Sequence, residues 1–188
     1  LALTSGANNL AVGYLAGKTL TTAQQNIAIG REALENHLTG ESNIAIGYLA
    51  MGDTLSGGGT TSQNSNHNTF IGLVSGGGQW ANHESNFNVG VGNYTMDGAM
   101  SGALNNTAVG YGSLGALTQG DYNTAVGQNS GMAISTGIKN TVVGSSALAS
   151  NSTGSNNTAV GLSALEQATG DNSTAVGYQA LAALTDGL

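Results

Sequence analysis

The 188 residues include no cysteine and no proline, and only three Lys or Arg against ten Asp or Glu. Without cysteine there is no disulfide framework and no thiolate metal site. A net charge of −7 with so few basic residues offers nothing to a phosphate backbone, which argues against nucleic acid as a partner. Aromatic residues are also scarce: one Trp, two Phe and six Tyr. A conventional core of large side chains is hard to assemble from that set. Leu1-Ala2-Leu3 is too short for the apolar region of a signal peptide, and no apolar run approaches a membrane span. Membrane insertion by this segment is therefore not expected.

What the chain has instead is glycine, 31 residues of it, and a phrase that returns ten times. Asn (once Ser) is followed by Thr, Ile, Leu or Val, usually Ala, then Val or Ile, then Gly. The copies end at Gly13, Gly30, Gly47, Gly72, Gly92, Gly110, Gly127, Gly144, Gly161 and Gly177. The intervals are 17, 17, 25, 20, 18, 17, 17, 17 and 16 residues. A fixed period of this kind marks stacked repeats.

The residue before the main Gly is β-branched in every copy, from Val12 and Ile29 to Val176. Three residues after it stands Ala, Ser or Thr without exception, a size limit that implies close packing between neighbouring backbones. The two residues flanking the central Ala share one side of a strand, and the Ala faces the other way. Because both sides are apolar, one is expected inside the coil and the other against another subunit. The Val and Ile column is read as the interior, and Ala11, Ala28, Ala45, Ala108, Ala125, Ala159 and Ala175 as the second packed face. The main Gly is expected to need φ > 0 or a close approach at the bend. A second Gly, present in six of the repeats (Gly6, Gly40, Gly120, Gly137, Gly154, Gly170), suits the opposite turn.

Amphipathic pieces such as residues 162–168 raise a helical alternative, but each lies between glycines and is too short to be stable alone. The expectation is an all-β parallel β-roll or β-solenoid of about ten coils, a rod roughly 45 Å long at one strand spacing per coil. Residues 1–188 read as a single repeat array, with loop insertions at about 53–67 and 76–86. Neither end carries an atypical capping repeat, so a slice of a longer fibre is expected.

The phrase Asn-Thr-Ala-Val-Gly-Tyr-x-Ala-Leu, nearly complete at 173–181 and recognisable at 43–51, resembles the YadA-like head repeat of trimeric autotransporter adhesins. It is still more similar to repeats in bacteriophage tail fibres and in fibre proteins carrying a C-terminal intramolecular chaperone. The resemblance implies a left-handed parallel β-roll and a homotrimer, intertwined or side by side. It also implies an extracellular location, on a cell-surface fibre or a virion tail fibre. The 17-residue spacing is longer than the usual coil of the bacterial heads, and a viral or a bacterial origin fits equally.

Two neighbouring intervals are long, Gly47 to Gly72 and Gly72 to Gly92. Their extra residues are expected to leave the same edge of adjacent coils as one lateral protrusion. It holds the only Trp and two of the three His. Gln63, Asn64, His67, Gln79, Trp80, Asn82 and His83 are the candidate ligand-binding residues. A flat indole ringed by amides and imidazoles suits a sugar ring or a protein loop. The competing reading has Trp80 packing against the rod or a neighbouring subunit.

His67, His83 and Glu84 lack any known metal-ligand spacing, so no metal is assigned. Calcium-binding β-rolls place Asp at a fixed point of every turn. Here the residue six before the main Gly is acidic only at Glu41, Asp121 and Asp171, which reads as a solvated turn. The repeat accounts for the Ser and Thr, and no nucleophile, base and orienter set remains, so neither enzymatic activity nor a cofactor is expected. The Thr107, Thr124, Thr141, Thr158 and Thr174 column raises ice binding, set aside because those Thr share the supposed interior side with Val and Ile.

The sequence thus points to a structural and adhesive fibre segment that attaches to a cell-surface glycan or protein receptor. The alternative is a purely architectural filament.

Overall fold

The computed structural model describes residues 6–52, 64–81 and 83–185. Among these residues ten three-residue strands follow one another: β1 (Leu10–Val12), β2 (Ile27–Ile29), β3 (Ile44–Ile46), β4 (Thr69–Ile71), β5 (Val89–Val91), β6 (Thr107–Val109), β7 (Thr124–Val126), β8 (Thr141–Val143), β9 (Thr158–Val160) and β10 (Thr174–Val176). They form one parallel sheet in sequence order. The phrase stacks on itself in register, with Thr107 on Thr124, Ala108 on Ala125 and Val109 on Val126. The expected β-solenoid is what the chain forms. Among the described residues no α-helix occurs, and 162–167 is turn. The turns are themselves bonded coil to coil, as in Leu114 N–H to Ser130 O at 3.0 Å and Ala116 N–H to Met132 O at 3.0 Å.

The main glycines meet both halves of their expectation. All ten have φ between 127° and 141°. A Cβ on any of them except Gly177 would lie closer than 3.0 Å to backbone of the next coil's glycine. The invariant small residue is buried as expected, from Ala33 to Ala164. The turn residue after it carries the bulk of the core: Leu34, Met51, Met96, Leu114, Leu148 and Leu165 are fully buried.

The assignment of inside and outside is corrected. The Ala column faces inward, with Ala28, Ala45, Ala108, Ala125 and Ala159 fully buried. The Val, Ile and Thr columns face outward, half-buried or exposed in every strand. The reason is steric. Leu and Met from the facing turn fill the narrow coil, so the strand can contribute only a small side chain. The Thr column is therefore outward too, and the ground on which ice binding was set aside does not hold.

The phrase-opening Asn forms an internal ladder with no counterpart in the sequence reading. Asn26, Asn43, Asn68, Asn88, Asn106, Asn123, Asn140 and Asn157 are all buried. Asn123 Oδ1 accepts from the backbone N–H of Asn140 at 3.0 Å and from its Nδ2 at 2.9 Å. Asn123 Nδ2 donates to Gly137 O at 2.8 Å, closing its own coil. Buried polar groups are stable only when bonded in this way.

A second ladder runs outside it, at the position of Glu41, Asp121 and Asp171. Asp121 Oδ1 accepts from Leu104 N–H and Asp171 Oδ1 from Ser155 N–H, both at 2.7 Å. Those two carboxylates cap the preceding coil and are not merely solvated.

Candidate functional site

The two longer coils enlarge the core rather than only the surface. Phe70 takes the place of the strand Ala, and Gly90 takes that place in the next coil. A Cβ on Gly90 or Gly76 would lie within 3.0 Å of the Phe70 ring. Phe70 meets Trp80 edge to face, with centroids 5.9 Å apart and planes at 73°. Both rings are fully buried. Trp80 occupies the interior, so its indole presents no surface to a ligand. Its Nε1 is buried without a hydrogen-bond partner among the described residues. Trp80 packs, but inside the coil against Phe70 rather than on the side of the rod or against a neighbouring subunit.

The other candidates separate. Gln79 and His83 are exposed, and His83 Nδ1 lies 3.2 Å from Ser101 Oγ. Asn64 is half-buried and bonded to Thr39 Oγ1. Gln63 and Asn82 lie outside the described residues, as does most of the insertion at 53–67. Only Asn64 and His67 of the predicted set come together, in an open hollow of about 590 Å³ on the side of the rod.

Coil stacking builds that hollow. Glu41, Asn66 and Asn86 stand one above another at the outer-ladder position. Asn66 Oδ1 accepts from Glu41 N–H at 2.7 Å, and Asn86 Oδ1 from Asn66 N–H at 2.6 Å. Fixing the oxygen fixes the plane of each amide and turns its Nδ2 donors outward. Neither Nδ2 carries a hydrogen bond among the described residues. One position along, His67 and Phe87 form a parallel row, edge to face with centroids 5.1 Å apart at 71°. Thr39 completes the lining. Asn66, Asn86 and Phe87 carry no signal of their own in the sequence, and Glu41 reads there only as a turn residue, although counting back from each main Gly places all four in these two columns.

Among the described residues, three titratable groups are displaced from their ordinary values. His37 is fully buried where Leu20, Leu117 and Ile134 stand in other coils. Burial lowers it to about 4, against a smaller upward pull from the Ser65 carbonyl. Its Nε2 lies 3.1 Å from Asn43 Nδ2, and its Nδ1 has no partner among the described residues. Burial also pushes the Asp97 carboxyl up. Arg31 is raised by its hydrogen bond and charge pairing with Glu32 at 3.0 Å, and it lies over the rings of Tyr14 and Tyr48.

No group of three His, Asp or Glu among the described residues stands close enough to hold a metal ion. No described helix is long and apolar enough to cross a membrane. No family model, curated protein or solved structure matches the chain.

Proposed function

We propose that the chain is a rigid segment of an extracellular attachment fibre, assembled as a homotrimer through the outward face of its sheet. The observation that carries this reading is the face itself. Ten successive coils turn a β-branched residue outward at one position: Val12, Ile71, Val91, Val109, Val126, Val143 and Val176 are exposed, and Ile29, Ile46 and Val160 are half-buried. A continuous apolar stripe along a rod is costly in water and marks an interface. Parallel in-register stacking makes the stripe straight, so a second copy can lie against its whole length. The number three comes from the resemblance to the adhesin and tail-fibre repeats.

Attachment follows from what the rod leaves free. The side bearing the long coils departs from the repeat and carries the hollow lined by Glu41, Asn66, His67, Asn86 and Phe87. Loops and hollows on a rigid scaffold are where binding residues concentrate. A labelled chain is expected to bind intact cells of its target. A chain shortened by residues 56–63, which restores a 17-residue interval and keeps buried Ser65, and carrying Asn66→Asp, Asn86→Asp and Phe87→Asn, is expected to lose that binding. Equal attachment by both would contradict a receptor site on this side and favour a purely architectural filament.

The outward Thr of β6 to β10 also gives ice binding a specific observation. The same columns are Leu10, Ile27 and Ile44 toward the other end, and this apolar half suits protein packing better than water. Thermal hysteresis in a monomeric preparation would be needed to prefer that reading.

A further inference from the structure

Phe87 is difficult to explain as part of the fold. It is 52% exposed and sits at φ 60°, in left-handed backbone that a bulky side chain adopts at a cost. The same column holds Asn at Asn8, Asn105, Asn156 and Asn172 and an exposed Tyr at Tyr122, all with φ near 60°. Asn tolerates this conformation best among non-glycine residues, and Tyr122 ends in a hydroxyl that water solvates, which Phe87 lacks. An exposed phenyl ring here stabilises neither the turn nor the core. It does complete an aromatic row with His67, beside a row of oriented polar groups one strand spacing apart.

We infer that the hollow between these rows is a binding site for a neutral pyranose sugar. The Phe87 ring supplies a flat apolar surface for the C–H face of the sugar. The Nδ2 groups of Asn66 and Asn86 donate to hydroxyl oxygens, and the Glu41 carboxylate accepts from a hydroxyl. Donors and an acceptor in one line match a ring whose hydroxyls do both. The only charged group in the line is an anion, on a chain of net charge −7, which disfavours acidic sugars. This inference names the ligand class for the attachment reading and rests on it for its biological purpose. Because the hollow is shallow and open, affinity for a single sugar is on the order of 1 mM.

The fold supplies its own conservative variants. Phe87→Asn installs the residue that other coils carry at this position. Asn66→Asp with Asn86→Asp keeps the oxygen that caps the preceding coil, as Asp121 and Asp171 do, and removes the donors. The test is saturation-transfer NMR of the 188-residue chain with methyl β-glucopyranoside, methyl β-galactopyranoside and N-acetylglucosamine, with sialyllactose as the anionic contrast.

At least one neutral sugar is expected to receive saturation, and the anionic one much less. Phe87→Asn is expected to weaken binding at least about tenfold with no loss of thermal stability, and the double Asp variant about tenfold. No transfer to any of the three neutral sugars, or equal transfer in Phe87→Asn, overturns the site. A Phe87→Asn chain that changes native mass while its sugar signal stays the same also overturns it, because the aromatic row is then a subunit contact. Cell attachment that survives without sugar binding sinks the sugar site alone. Sugar binding without cell attachment sinks the attachment reading alone.

Discussion

Each coil bends at residues held in left-handed backbone, and the side chains there divide into those that are compensated and those that are not. Leu114, Leu148 and Leu165 have φ between 47° and 52° yet are fully buried, so core packing offsets their strain. Ser146, at φ 53° and half-buried, has no such return. Ser146→Gly is therefore expected to raise stability by up to about 1 kcal/mol. Gly144→Ala, two positions earlier, is expected to lower it by about 2–4 kcal/mol. There φ is 136°, and the added Cβ would strike the Gly161 carbonyl. Chemical denaturation of both variants beside the parent chain checks the pair, and a mild effect of Gly144→Ala would contradict the close approach.

His37 gives the residue scale a pH signature. Its folded value, about 4, lies below the ordinary 6.5, so the unfolded chain takes up the proton first as pH falls. The stability associated with neutral His37 is complete above about pH 6.5 and drains away between there and about pH 4. The loss is on the order of 3 kcal/mol. His37→Leu, which installs the residue found at Leu20 and Leu117, is expected to remove that part of the pH dependence. Parallel stability curves for the two chains across this window would contradict a buried neutral imidazole.

At the scale of the coil, the Asn ladder does what the three-residue strands are too short to do alone. Asn123→Ala deletes an acceptor for Asn140 and the donor to the Gly137 carbonyl, leaving buried groups unpaired. A loss of about 3 kcal/mol is expected, measurable by thermal melting. A loss under about 0.5 kcal/mol, the size of an ordinary surface change, would contradict the ladder's role. The period, the strand positions and the glycine bends were all legible in the sequence, because ten copies repeat them. Which side of the strand faces in was not. Alternation says that Thr and Val share a side, but both sides are apolar, and hydropathy alone does not rank them. The deciding signal was size: Ala recurs where Leu and Met from the facing turn leave little room.

Across the whole molecule, the same size logic explains why the candidate site was only partly legible. Trp80 stood out for being unique, yet Phe70 and Gly90, the lone Phe and the lone Gly in an otherwise Ala and Val column, mark a widened interior at the same coils. Large and small residues exchanged at neighbouring positions signal a core adjustment. The hollow beside it became visible only when stacking placed Glu41, Asn66 and Asn86 in one line. Their spacings of 25 and 20 residues hide the alignment in the linear sequence.

Assembly depends on what covers the outward Val and Ile stripe, and native mass by light scattering reads that directly. The chain is expected to run at three times its 18.5 kDa. Val126→Lys combined with Val143→Lys is expected to run as a single chain with its β-structure intact, because both side chains already face outward, at 37% and 38% exposure. A parent chain that is monomeric at every concentration, or a double Lys variant that keeps the parent's mass, would contradict assembly through this face.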